Sequence, residues 1–274
     1  MGVDLLSGNR ALAEDGPDSW FFCETPQITG VTDLLEIQQY LDLSQPGLME
    51  FGNDRSGSGI DLYGLAFKTK RWRDADGVFS SNGRLTLRVG FVDGDNWQQG
   101  AVKDKVQGWL GQGLPIDLVF EKNSVDCEIR ISFTLGNRSE YGRDARHIGN
   151  NAPTMYLKRC ARDQPDVRVQ AVVLHEFGHA VFALGHEHQH PDADLGWRMD
   201  KIVADTGWPP DRVRQQITEV YNRGYTCSGS RSYDRLSIMH YPIKPSWVRT
   251  GVEIPESTEL SAGDVACARS VYGS

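Results

Sequence analysis

Along the chain, apolar and polar positions sort into two periods. From Arg84 the pattern alternates: Leu85, Leu87, Val89 and Phe91 are apolar and polar or small residues separate them. A period of two predicts a strand with one buried face. Between Trp97 and Leu110, the residues Val102, Val106, Trp109 and Leu110 share one helical stripe, and Gly111 and Gly113 stop the run. Ile116, Leu118 and Phe120 predict a second strand, Ile129, Ile131 and Phe133 a third, and Thr154–Lys158 a short fourth. Val167 to Leu184 reads as one long helix. Beyond Pro191 the pattern turns irregular. Helices are predicted from Pro209 to Tyr221, where Pro209-Pro210 suits a first turn, and from Ser261 to Tyr272, where Ser261 and Asp264 resemble a capping box. The order strand, helix, strands, long helix predicts a mixed α+β half-domain.

Residues 1–80 read differently. Turn clusters such as Gly16-Pro17-Asp18 and Asp54-Arg55-Ser56-Gly57-Ser58-Gly59 surround one short helical pattern at Leu34, Leu35, Ile37, Tyr40 and Leu41. This predicts an N-terminal extension over 1–80, a candidate pro-segment, and a main domain over 81–274. The main domain divides into an upper half, 81–190, and a lower half, 191–274. There is no internal repeat.

Composition narrows the classes. A length of 274 residues allows one large domain or two small ones, at roughly 100–200 residues each. Acidic residues outnumber basic ones, 37 to 29, for a net charge of −8. That balance argues against nucleic acid or an anionic membrane as partner. No apolar run approaches the ~18 residues that span a bilayer. The N-terminus shows no basic stretch followed by an apolar one, so no secretory signal is read in it. The five cysteines, Cys23, Cys127, Cys160, Cys227 and Cys267, form no CxxC pair, which disfavours a cysteine-based zinc site. A monomer is expected.

The chemistry concentrates in the long helix. Five of the seven histidines are His175, His179, His186, His188 and His190. His175 and His179, four apart, share a helix face and can grip one Zn²⁺ at about 2.0–2.1 Å each. Glu176 stands beside them as a candidate general base. A third histidine beyond the helix would complete a three-histidine site with an open fourth position, the arrangement of a catalytic zinc.

Three motifs, His175-Glu176-Phe177-Gly178-His179, Gly185-His186-Glu187-His188-Gln189 and Ser237-Ile238-Met239-His240-Tyr241, resemble those of the astacin family of metzincin zinc endopeptidases. Weaker similarity spreads over about residues 84–274. The resemblance implies a zincin/metzincin fold: a twisted mixed N-terminal sheet with an active-site helix, and an irregular helical C-terminal subdomain. It implies a protein or peptide substrate, cut by metal-activated water with Glu176 as general base. His175, His179 and His186 would bind zinc, Met239 would form an apolar floor beneath the metal, and Tyr241 would stabilise the oxyanion. The substrate would lie extended along an edge strand near Ala152–Lys158. Secretion is also implied by the resemblance. The competing reading is a latent or non-catalytic zinc-binding interaction module on a peptidase scaffold.

The chain departs from the family pattern after His179. The family's glycine position holds Phe182, and the third histidine comes one residue late. Either a bulge near Val181–Leu184 absorbs the extra residue and His186 is the third ligand, or the helix runs on to a Gly185 cap and His188 is. The match of the Gly-His-Glu-His-Gln block favours His186. Within 1–80, Asp54 and Cys23 are candidates to occupy the open zinc position in a latent form, against plainer roles as a turn residue and a buried cysteine. Lys68-Thr69-Lys70-Arg71 is a candidate activation cut.

Overall fold

In the computed structural model, which describes Cys23 and residues 64–80, 82–227 and 233–272, the predicted alternation becomes a five-stranded sheet. Its strands are β1 (Leu85–Phe91), β2 (Ile116–Glu121), β3 (Ile129–Ser132), β4 (Asn137–Ser139) and β5 (Met155–Leu157), in the order β2-β1-β3-β5-β4. The β1–β2, β1–β3 and β3–β5 pairs are parallel and β4–β5 is antiparallel. Leu85, Leu87 and Val89 bury one face, as their period of two requires.

Strand β4 has no apolar alternation. Its two buried residues, Asn137 and Ser139, are polar, so hydrophobic patterning does not reveal it. Its presence moves the sheet edge. β5 is paired on both sides, so the stretch near Ala152–Lys158 is not the free edge expected for a substrate. That edge is β4.

The helices are α1 (Asn96–Lys105), α2 (Gln107–Leu110), α3 (Asp166–Phe182), α4 (Met199–Thr206), α5 (Pro210–Val213) and α6 (Ala262–Tyr272). The expected helix over 97–110 is thus interrupted at Val106. The one expected from Pro209 to Tyr221 makes a single α turn, widens into a π turn over Arg214–Thr218 and stops. α4 lies in the stretch read as irregular, and Gly207 (φ 67°) closes it. At α6, Asp264 N–H donates to Ser261 Oγ and Ser261 N–H to Asp264 Oδ2, the reciprocal pair of a capping box.

Helix α3 is the axis of the molecule, and every residue from Ala171 to Phe182 is buried. A helix apolar nearly all round must be enclosed, and here the sheet covers one side and α1, α2 and α6 cover others. Trp109 of α2 donates its indole N–H to Leu174 O at 2.9 Å. Helix ends leave carbonyls without intrahelical partners, and here side chains from distant segments satisfy them. Trp72 Nε1 donates to Ala180 O at 3.0 Å, and the Tyr272 hydroxyl donates to Val181 O.

Trp72 belongs to the stretch assigned from sequence to the N-terminal extension. Leu65, Ala66, Phe67 and Trp72 are all buried. Ala66 N–H donates to Tyr225 O at 2.8 Å and Phe67 N–H to Ala183 O at 2.9 Å. Residues 64–80 therefore pack as part of the main body, on the far side of the boundary drawn at 80. The helical pattern at 34–41 and Asp54 lie outside the described residues. A disulfide joins Cys227 to Cys267 of α6, and Cys127 and Cys160 are buried thiols.

Candidate metal centre

The site starts from the spacing on α3. His175 and His179, one turn apart, bring their Nε2 atoms to 3.1 Å. The chain must then reverse to return a third imidazole. Ala183 makes the turn with a left-handed backbone (φ 52°, ψ 35°), a conformation that costs a non-glycine residue about 1–2 kcal/mol. Leu184 N–H reaches back to Gly178 O at 3.1 Å, and Gly185 N–H is held by Leu65 O at 2.8 Å. The helix thus ends at Phe182, not at Gly185, and the reversal falls within Val181–Leu184. His186 Nε2 arrives 3.2 Å from both other Nε2 atoms. His188 does not join them: its Nε2 lies 3.1 Å from Gln216 O.

The hydrogen bonds decide the tautomers. His175 Nδ1 is 2.8 Å from Ile238 O and His179 Nδ1 is 2.6 Å from Leu184 O. A carbonyl only accepts, so each Nδ1 carries the proton and each Nε2 presents a lone pair. Burial holds the imidazoles neutral, pushing His175 down to about 4 and His179 and His186 well below their ordinary value. Two lone pairs therefore meet beside the Nε2 of His186, whose own Nδ1 has no partner among the described residues. A cation answers that arrangement. Nitrogens at about 2.05 Å from a tetrahedral zinc would stand about 3.3 Å apart, close to the spacing found.

A fourth donor is present. Cys23 Sγ joins the three imidazole nitrogens, all four atoms within 4.8 Å of one another. Cys23 is fully buried and bridges in parallel to Asn137 on the free edge of β4. Its thiol donates to Glu176 Oε2 at 3.4 Å. Burial pushes the Glu176 carboxyl up to about 8, against the pull of the Cys23 thiol and of Arg138, and its Oε1 has no protein partner among the described residues.

The floor and far wall come from the 233–241 loop. A Cβ at Gly178 would stand 2.6 Å from Met239 Sδ, so only glycine lets Met239 pack against α3 there. Asp264 fixes this loop. Its carboxylate accepts from Ser237 Oγ at 2.5 Å and from Ile238 N–H at 2.8 Å, while Ser237 Oγ accepts from Met239 N–H at 2.9 Å. Burial raises Asp264 to about 6 despite these donors. Ile238 O is the acceptor that sets the tautomer of His175, so Asp264 acts on the histidine through one peptide unit. The Ser261–Asp264 pair is visible in sequence as a helix cap, but its reach to this loop is not. Tyr241 is buried, its ring 4.4 Å from that of His186 and 4.2 Å from that of His188. Its hydroxyl donates to the Cys23 carbonyl.

Beside His186, Glu187 Oε1 accepts from Asp234 N–H at 2.9 Å, and burial raises its carboxyl well above the usual range. Next to His190, Asp192 pairs with Arg223 at 2.8 Å.

No protein-family model matches the chain. Among solved structures it is similar to myroilysin, with 28% identity and a TM-score of 0.63 over 72% of this chain and 97% of that one. A second myroilysin structure matches at 27% identity and a TM-score of 0.53, covering 79% and 94%. The chain is an astacin-like metallopeptidase. The astacin-like fold extends to high choriolytic enzyme 1, a hatching enzyme zinc-protease from the medaka fish Oryzias latipes, at 18% identity and a TM-score of 0.51, covering 77% and 98%. No described helix of this astacin-like chain is long and apolar enough to cross a membrane.

Proposed function

We propose that the chain is a zinc endopeptidase made as a latent form, with His175, His179 and His186 as zinc ligands and Cys23 filling the fourth position. The observation that carries this reading is the convergence of three imidazole nitrogens and one thiol, with a buried carboxyl beside them. Bound there, zinc would supply Lewis-acid charge to polarise a peptide carbonyl and to acidify water.

The protein's own groups divide the remaining work. Glu176 is the general base, taking a proton from water and passing it to the leaving amine. The Tyr241 hydroxyl is an oxyanion donor. In the latent form it is spent on the Cys23 carbonyl, so the same segment fills the metal's open position and occupies the donor. Met239 and Gly178 hold the floor. A protein substrate would add as a strand to the free edge of β4, the edge Cys23 already bridges.

The non-catalytic module keeps no specific support beyond the extra residue after His179, which the turn at Ala183 absorbs. Activation would remove Cys23 by a cut between it and Gly64. The Lys68–Arg71 stretch is a poor place for that cut: Lys70 is buried and its Nζ pairs with Asp144 at 2.6 Å. Secretion would suit an enzyme stored this way.

The test is cleavage of an unfolded protein by zinc-loaded wild type and Cys23→Ala, read by mass spectrometry. Cys23→Ala should cut at once, and wild type only after its N-terminal region is trimmed. Equal, immediate cutting by both would rule out the thiol as a block.

A further inference from the structure

We propose that residues 64–67 clamp the metal centre from outside, with Phe67 as the positioning residue for His179 and His186. The proposal rests on the zinc reading and goes beyond it, since none of these four residues is a ligand. The strap they form lies between two other segments. On one side Leu65 bridges Thr226 in antiparallel sense, and Ala66 N–H donates to Tyr225 O at 2.8 Å. On the other side Ala66 bridges Leu184. There Phe67 N–H donates to Ala183 O at 2.9 Å, and Gly185 N–H donates to Leu65 O at 2.8 Å. The outer segment is itself tied to α6 by the Cys227–Cys267 disulfide.

What the strap grips is the turn that sets two ligands. Ala183 is left-handed (φ 52°), and a residue held in that region persists only where its surroundings hold it. Leu184 O, in the same turn, accepts from His179 Nδ1 at 2.6 Å, and His186 follows two residues on. A shift of the turn would therefore release one imidazole and withdraw the other. Phe67 anchors the strap. It is buried, and its ring meets those of Tyr141, Tyr221 and Tyr225 edge-on, with centroids at 4.6, 5.3 and 5.4 Å. Edge-to-face packing is a favoured geometry for aromatic pairs. Tyr141 in turn meets the His179 ring edge-on at 5.0 Å. Phe67 thus bears on the turn through its backbone and on His179 through Tyr141. Gly185 lets the strap close: a Cβ there would stand 3.1 Å from Phe67 Cε2 and 3.3 Å from Leu65 Cβ. Gripped this way, an alanine serves where a glycine would turn unaided.

The test uses the full chain and measures the Kd for zinc by competition with a chelating dye. Phe67→Ala should weaken zinc binding about tenfold, the low end for groups that orient a metal ligand. Adding Ala183→Gly to that variant should recover at least about threefold of the loss, because glycine takes the left-handed turn at no steric cost. Leu87→Ala, a buried truncation in β1, should lower stability and leave the zinc Kd unchanged. Circular dichroism shows which variants fold, and Phe67→Leu, which keeps much of the volume, carries the same comparison if Phe67→Ala does not. An unchanged Kd in the Phe67 variants, a loss that Ala183→Gly does not recover, or an equal loss in Leu87→Ala would overturn the proposal. If wild type binds no zinc, this proposal and the endopeptidase reading fall together. A zinc Kd that follows Phe67 and Ala183 as expected, with no cutting by an activated chain, would sink the endopeptidase reading and leave the clamp standing.

Discussion

At the scale of single residues, the decisive fact is which nitrogen faces which acceptor. His186 and His188 are two apart and both fully buried, so neither burial nor composition separates them. The carbonyl of Gln216 does, by engaging His188 and leaving His186 to the cluster. His186→Ala should therefore lose most of the bound zinc, while His188→Ala should keep near one ion per chain, counted by mass spectrometry of the native protein. The reverse result would show that the third ligand is misassigned. The HExxH spacing made His175, His179 and Glu176 legible as candidates. The third histidine stayed open because its place depends on how one residue, Ala183, bends: alanine is a poor sequence marker for a left-handed turn, and the glycine that would mark it is replaced by Phe182.

At the scale of elements, α3 is held by donors that come from far along the chain. Asp264 of α6 sets the loop whose Ile238 carbonyl orients His175. Asp264→Asn replaces one carboxylate oxygen by a donor facing other donors. It should lower stability by about 1–3 kcal/mol in urea unfolding. It should also weaken zinc binding, because the imidazole loses its fixed orientation. Lost stability with unchanged zinc affinity would break the link between α6 and the histidine. Strands β1, β2, β3 and β5 and helix α3 were legible because their apolar residues recur at the right period. β4 was not, since its inward residues are Asn137 and Ser139. Nor was α4, whose apolar Met199, Ile202 and Val203 make only two short turns before Gly207.

At the scale of the whole molecule, residues 64–80 join the main body, and Asp76 is one of the clasps. Burial opposes its charge, but Arg143, the Arg73 N–H and Arg146 hold its carboxyl below the ordinary value. A depressed folded-state value means stability that is present above about pH 4 and is lost as pH falls through it. Wild type should exceed Asp76→Asn by about 1 kcal/mol at pH 7, after allowing for solvent screening. That gap should close on acidification to about pH 2. A gap independent of pH would assign the effect to packing alone. Metal removal is a second test at this scale: chelation takes away the ion that joins three buried imidazoles, so thermal stability should fall and return on adding zinc. An unchanged melting temperature would mean the cluster is not a metal site.

On the proposed function, one buried carboxyl and one zinc centre cut peptide bonds once Cys23 is out of the way. The most direct measurement compares zinc-loaded Cys23→Ala with Cys23→Ala, Glu176→Ala on an unfolded protein substrate, with fragments read by mass spectrometry and zinc counted in both. The first should cut, the second should lose at least about a hundredfold in rate, and each should hold equal zinc. Equal cutting by both, or silence from both with zinc in place, would contradict it.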